Sequence, residues 1–240
     1  VGLTPMAARE AAAHGHAVLI ERGAGLGAGF DDDAYRAAGA ELVDTAEELF
    51  ARAEMVVKVK EPQAEERARL REGQVLFTYL HLAPDAAQTR DLLSSGVTAI
   101  AYETVTDAAG GLPLLAPMSE VAGRLAPQVG AWSLQKEQGG RGMLLSGVPG
   151  VGAAEVVVIG GGVVGTNAAR IAHGMGARVS VLDRSIPRLR HLDEAFGGAF
   201  ATRYASQAAT EELVSQADLV IGAVLVPGAA APKIVNADMV

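Results

Sequence analysis

Short apolar runs recur along the chain and alternate with longer stretches of mixed polarity. The runs are Ala17–Ile20, Met55–Val59, Val75–Leu80, Val97–Tyr102, Val156–Ile159, Val179–Leu182 and Leu219–Ile221. Most are rich in β-branched residues and near-continuous in apolar character, the pattern of parallel strands covered on both faces. Helix-start signals lie between them. Thr4-Pro5 offers an N-cap followed by proline at the first helical position, and Gly15 closes that helix. Asp44 or Thr45 can cap Ala46–Ala53, whose first turn carries Glu47 and Glu48 at the favourable end of the helix dipole. Strand and helix in alternation predict an α/β protein built on parallel sheets.

The alternation breaks at the Gly110–Pro113 turn. A helical stretch then runs from Met118 to about Lys136, with Pro127 inside it, where a kink or a split is expected. The glycine-rich loop Gly139–Gly152 leads into Val156–Ile159. This divides the chain into two Rossmann-like parallel-sheet domains, residues 1–115 and 116–240, both incomplete.

Composition narrows the classes. The 240 residues carry a net charge of −8, with 20 basic and 28 acidic side chains, so the basic stripe of a general nucleic-acid binder is missing. The absence of cysteine excludes disulfides, thiolate metal sites and a cysteine nucleophile. The most apolar stretches, Val156–Val164 and Leu219–Leu225, are far short of the ~20 residues that a membrane-spanning helix needs. Glu10 falls early and no basic n-region precedes an apolar run, so the chain reads as cytoplasmic.

The sharpest motif follows Val156–Ile159. Gly160-Gly-Gly162-Val-Val-Gly165 is a G-x-G-x-x-G string placed after a buried strand and opening a helix. Gly160 permits the tight turn, Gly162 lets a pyrophosphate approach the backbone, and Gly165 allows close helix–strand packing. Val163 and Val164 lie in the first helical turn, whose free N–H groups and dipole suit phosphate. Val179–Leu182 ends in Asp183, placed to accept the hydroxyls of an adenosine ribose, so the expected cofactor is NAD rather than NADP. Gly23-Ala-Gly-Leu-Gly-Ala28 resembles a second such loop, but Asp31, Asp32 and Asp33 crowd the place a phosphate would take, and a tight turn is expected.

In the first domain three runs end in polar residues: Lys60, followed closely by Pro62, then His81, then Glu103. Their near-equal spacing is that of one strand–helix repeat, so parallel strands would gather all three at one carboxyl edge, where open α/β sheets bind ligands. Each has a plainer reading. Lys58 and Lys60 share a strand face and either could be solvated; Glu103 could pair with a lysine or cap a turn.

These residues carry a resemblance. Leu3-Thr-Pro5, Val57-Lys-Val-Lys-Glu-Pro62, Thr78-Tyr-Leu-His-Leu-Ala83, Ala101-Tyr-Glu-Thr104 and Ala116-Pro-Met-Ser-Glu-Val-Ala-Gly-Arg124 resemble the alanine dehydrogenase/pyridine nucleotide transhydrogenase family on its alanine dehydrogenase side. So do Gly139–Gly142, Gly147–Gly150, the Gly160–Gly165 loop and Ala217–Ala223. The resemblance implies NAD-dependent oxidative deamination of L-alanine to pyruvate and ammonium, reversibly, by hydride transfer in a homohexamer. It implies that Lys60 binds and polarises the pyruvate carbonyl and that His81 is the acid/base group; Glu103, at the same strand edge, is expected to bind substrate beside Lys60. Ser119, Asp183, Arg188, Val224 and Leu225 would line the cofactor site; a further serine of the family stands here as Ala205. The family's substrate-carboxylate arginine would precede Val1 and its second catalytic aspartate would follow Val240, so this segment by itself is expected to be inactive. The alternatives are the NAD-binding subunit of a proton-translocating transhydrogenase and a non-catalytic NAD-binding module.

Overall fold

Thr4 Oγ1 accepts the Ala7 N–H and starts α1 (Pro5–Ala13), with Pro5 at the first position and Gly15 in the left-handed region just past its end. This is the first element of a computed structural model that describes residues 1–225 and 232–239. The chain falls into two units, Val1–Leu114 and Leu115–Val240, each with its own sheets and cores. No helix among the described residues is long and apolar enough to cross a membrane.

In the first unit β1 (Leu19–Glu21), α2 (Asp32–Ala37), β2 (Glu41–Val43) and α3 (Ala46–Arg52) precede β3 (Met55–Val57), α4 (Ala64–Arg67), β4 (Val75–Thr78), α5 (Ala86–Ser95) and β5 (Thr98–Ala101). β1 pairs with β2, and β3-β4-β5 form a separate sheet; every pairing is parallel. Two side-chain clusters support them. One gathers Ala8, Val18, Ile20 and Tyr35; the other gathers Phe50, Val56, Leu76, Leu80 and Leu92. Thr45, rather than Asp44, caps α3 through its Oγ1. The Gly23–Ala28 loop closes on itself, with Asp32 accepting the Gly23 N–H and Asp31 capping α2.

Burial pushes the phenols of Tyr35, Tyr79 and Tyr102 above their ordinary value; the Glu103 carboxylate adds to this at Tyr79, and Tyr79 adds to it at Tyr102. All three belong to the first unit. In the unfolded chain these phenols ionise first, so the stability they contribute is complete below the ordinary value and is lost as pH rises through the raised one. Thermal melting should therefore drop between about pH 9 and about pH 11, on either side of the ordinary phenol value of ~10. A variant with phenylalanine at all three positions should show a shallower drop, and an equal drop would refute the linkage.

In the second unit α6 (Ala116–Ser133) is followed by β6 (Glu155–Ile159), α7 (Val163–Gly174), β7 (Arg178–Asp183), α8 (Ile186–Phe196), β8 (Ala201–Tyr204), α9 (Gln207–Gln216) and β9 (Leu219–Gly222). The sheet is wholly parallel in the order β8-β7-β6-β9. Two strands lead outward from β6 on one side and β9 returns to its other side, so the direction of winding reverses at the carboxyl end of β6. Val156, Val158 and Val181 pack with Ala168, Ala172 and Leu192, while Val157, Ile159 and Leu182 pack with Val214. Both faces of the sheet are thus covered, as the unbroken apolar runs require.

The structure differs from the sequence expectation in three places. β2 and β8 carry no apolar run of the expected kind: Glu41, Thr202 and Arg203 are strand residues only because β1 and β7 pair with them. The strands expected over Met55–Val59 and Val75–Leu80 stop at Val57 and Thr78, where the single Thr78 hydroxyl proton is shared between the carbonyls of Val59 and Lys60. The third is α6, which starts at Ala116, ends at Ser133 and passes through Pro127 unbroken, with only a short 3₁₀ turn over Lys136–Gln138. Proline clashes with the carbonyl four residues back and leaves it without a donor. Here that residue is Gly123, which lies against α7 so closely that a Cβ would meet the Val164 carbonyl oxygen at 2.3 Å. A second close approach, of Gly130 to Leu219, seats the helix beyond the proline.

Candidate functional site

β6 runs straight into the glycine loop. Gly160 has φ +103, and its N–H donates to the Leu182 carbonyl at 2.7 Å. A Cβ there would fall 2.7 Å from the Ala223 carbonyl oxygen and 3.0 Å from Val224 Cγ2, so loop and β9 end meet only without a side chain. Gly165 is tighter still, because its Cβ would lie 1.7 Å from the Gly160 carbonyl oxygen. Gly162 is the opposite case: nothing lies within 4 Å of where its Cβ would be. It is the N-cap of α7, so the N–H groups of Val163, Val164 and Gly165 begin the helix without intrahelical acceptors and at the positive end of its dipole.

Asp183 ends β7 half-buried, and both of its oxygens accept backbone N–H groups: Oδ2 from Gly161 and Oδ1 from Ser185, each at 2.7 Å. A carboxylate has about four acceptor positions, so ribose hydroxyls can still donate to it. Arg188, from α8, reaches back to the loop, its Nε donating to the Gly161 carbonyl at 2.5 Å and its Nη2 to Thr166 Oγ1 at 2.6 Å. Thr166 in turn donates to the same carbonyl at 3.0 Å. The Gly161 residue is thereby held at N–H and C=O before any ligand arrives. Ser119 lies in the first turn of α6, one turn before Gly123 and on the same helical face, which places it toward the start of α7. Val224 is half-buried at the end of β9 and Leu225 is exposed beside it. The open flank at Gly162, the helix N-terminus and the acid at the neighbouring strand end fit a dinucleotide.

In the first unit the parallel order β3-β4-β5 delivers Lys60, His81 and Glu103 to one edge, each just after its strand. His81 has φ +49, the one left-handed non-glycine residue among those described. Its ring lies parallel to that of Tyr79, with centroids 6.1 Å apart, and its Nδ1 is 3.4 Å from Glu61 Oε2. Tyr79 is itself held, its hydroxyl donating to the Leu114 carbonyl at 2.5 Å and its ring meeting Tyr102 edge-on. The Glu103 carboxylate accepts the His81 N–H at 2.7 Å and the Leu80 N–H at 3.1 Å. Of the two lysines, Lys58 forms an ion pair with Glu66 and Lys60 remains exposed. The Glu61 carboxyl is held below its ordinary value, first by its own backbone N–H and then, against some burial, by His81 and Lys60. An imidazole on an aromatic shelf thus shares a neighbourhood with an ammonium, an arrangement able to move protons and stabilise a developing oxyanion.

Glu61, Tyr79 and Thr166 were not singled out from the sequence, nor was Gln88, whose side-chain amide donates to the Leu80 carbonyl next to His81. The first two had a signal: Glu61 follows Lys60 directly, and Tyr79 lies two residues from His81, the spacing of one strand face. Gln88 and Thr166 act only through contacts made in the fold. No group of three or more potential metal ligands occurs among the described residues.

Winding reversal, glycine loop and terminal acid define the second unit as Rossmann-like. The family is then fixed by comparison: residues 1–122 match the model of the alanine dehydrogenase/PNT N-terminal domain, and residues 126–240 match that of the alanine dehydrogenase/PNT C-terminal domain. The chain belongs to the alanine dehydrogenase/PNT family. It is 60% identical over 239 residues to an alanine dehydrogenase of Halomonas elongata and 59% identical over 240 residues to one of Mycobacterium tuberculosis. In both cases the match takes in all of this chain, and it covers 64% and 65% of those relatives. Among solved structures, an L-alanine dehydrogenase superposes with a TM-score of 0.93 at 51% identity, over all of this chain and 66% of the other. A transhydrogenase from Sinorhizobium meliloti superposes at 0.84 with 26% identity, over all of this chain and 70% of the other. The chain thus spans just under two thirds of the length of the curated alanine dehydrogenases it matches.

Proposed function

We propose that this chain is the larger part of an NAD-dependent alanine dehydrogenase, which converts L-alanine to pyruvate and ammonium and runs in reverse. The observation that carries the reading is His81, set in a left-handed backbone at the sheet edge it shares with Lys60, within a chain 60% identical to an alanine dehydrogenase. The N–H groups of Val163, Val164 and Gly165 would hold the cofactor's pyrophosphate, approached past Gly160 and Gly162. Asp183 would take the ribose, Arg188 the adenosine side, and Ser119, Val224 and Leu225 the remainder. When bound, NAD supplies the hydride acceptor.

The protein's own groups then handle charge and protons. The Lys60 ammonium donates to the substrate oxygen and stabilises charge that gathers there. The His81 imidazole, with an ordinary pKa near ~6.5, suits proton exchange close to neutrality. It removes a proton from water as that water adds to the iminium carbon, returns that proton to the carbinolamine nitrogen, and accepts the hydroxyl proton as the C–N bond breaks to give pyruvate and ammonia. A homo-oligomer, hexameric by family resemblance, and a cytoplasmic location accompany this reading.

The test is NADH formation by the complete protein. L-Alanine with NAD should give steady turnover, and NADP should give far less, because a 2′-phosphate would meet the Asp183 carboxylate. NAD binding without alanine-dependent turnover would overturn the assignment in favour of a transhydrogenase-type or non-catalytic role.

A further inference from the structure

We propose that Glu103 and Gln88 are positioning residues that hold His81 in the left-handed backbone its chemistry requires. The proposal rests on the reading of His81 as the acid/base group. The peptide plane joining Leu80 to His81 is gripped at both of its polar groups. The Gln88 side-chain amide, from the first turn of α5, donates to the Leu80 carbonyl, and Glu103 Oε1 accepts the His81 N–H at 2.7 Å. The same carboxylate takes the preceding Leu80 N–H through both oxygens, at 3.1 and 3.2 Å.

Three further observations point to positioning. A residue with a Cβ is disfavoured at φ +49, and strain of this kind persists only where the surroundings over-determine it. Glu103, with its carboxylate on two successive N–H groups, supplies charge-assisted bonds that are shorter and stronger than neutral ones. Gln88 is 1% exposed and its Oε1 has no partner among the described residues, so the Leu80 carbonyl is the group that orients its buried amide. Because φ of His81 sets the direction of its Cα–Cβ bond, release of this peptide would swing the imidazole off its shelf on Tyr79. The ring itself is exposed and touches neither Glu103 nor Gln88 through a hydrogen bond, so both act through the backbone alone.

The test uses the complete protein with Glu103→Gln, Glu103→Ala and Gln88→Leu. Misplacement of a catalytic group by ~1 Å costs on the order of 10²-fold, so Glu103→Ala should lose about that much kcat while its NAD affinity is unchanged. Glu103→Gln keeps an acceptor oxygen and should recover to within about tenfold of the parent, with the limbs of the pH–rate profile unmoved. Gln88→Leu should lower kcat and leave NAD affinity alone. Amide hydrogen exchange gives the readout independent of activity: the Leu80 and His81 N–H groups should be protected in the parent and exchange rapidly in Glu103→Ala. Parent-like kcat in Glu103→Ala, a Gln variant as impaired as the Ala variant, or unprotected amides in the parent would each overturn the proposal. Absence of alanine turnover in the parent would instead strike the reading of the reaction, while the exchange arm would still decide whether the clamp exists.

Discussion

Alanine at position 165 should unfold the cofactor loop, whereas alanine at position 162 should leave the fold intact and weaken NAD binding. The two glycines are three residues apart in one motif, yet their surroundings differ completely. At Gly165 a Cβ would sit 1.7 Å from a backbone carbonyl oxygen, and no side-chain rotation can relieve a clash with main chain. Overpacking commonly costs about 1–3 kcal/mol, and a contact this short with backbone belongs at or beyond the upper end. For a unit of this size that is on the order of 10 °C in Tm. At Gly162 the Cβ would meet nothing within 4 Å and φ is −66°, which any residue adopts, so Gly162→Ala should stay within about 0.5 kcal/mol of the parent. Its methyl group would instead occupy the flank where a pyrophosphate approaches, and a loss of about tenfold or more in NAD affinity is expected, equivalent to ~1.4 kcal/mol. Thermal melting paired with NAD titration separates the two. Equal destabilisation by both, or undiminished NAD binding in Gly162→Ala, would refute this account of the loop.

His81→Ala should lower alanine turnover by about 10²- to 10⁴-fold, the range for loss of a general acid–base group, with NAD affinity retained. NAD affinity is spared because the residues that would hold the cofactor belong to the second unit, while His81 sits at an edge of the first. Lys60→Ala should act differently, raising KM for pyruvate as well as lowering kcat by roughly 10²–10³-fold, because its ammonium is proposed both to bind the substrate oxygen and to stabilise its charge. Lys60→Arg should recover little, since a planar guanidinium does not replace a compact ammonium at a point contact. Steady-state kinetics in both directions decides the matter; parent-like kcat in His81→Ala would remove it from the chemistry.

Some parts of this architecture were legible because they are consequences of the local chain. The Gly160–Gly165 turn, the helix that follows it and the Asp183 strand end depend on residues close in sequence, and the structure has them where the motif puts them. Lys60, His81 and Glu103 could be placed at one edge because a strand–helix repeat has a regular length and parallel strands share direction. Their individual conditions could not be read. The sharing of a face by Lys58 and Lys60 left open which would be solvated; the position of α4, which carries Glu66, decided it. Glu103 looked like a substrate contact or a turn cap, and its backbone partners emerge only when β5 lies beside β4.

Elements with weak local signals were decided by their neighbours. β2 and β8 are strands because an adjacent parallel strand offers them a hydrogen-bonding ladder, which outweighs the polarity of Glu41 and Arg203. Pro127 lies inside an unbroken α6 because Gly123 and Gly130 let that helix seat deeply on its neighbours. Patterning and turn chemistry were therefore enough to establish the α/β class, the glycine loop and the gathering of three polar strand ends, since each depends on short-range periodicity or on sterics that act within a few residues. The grip of Gln88 and Glu103 on the peptide that holds His81 in its left-handed conformation, and the tie of Arg188 to Gly161, join residues 8 to 27 positions apart. Such contacts arise only when packing has paid the entropy of bringing distant segments together, and so they belong to the tertiary structure alone.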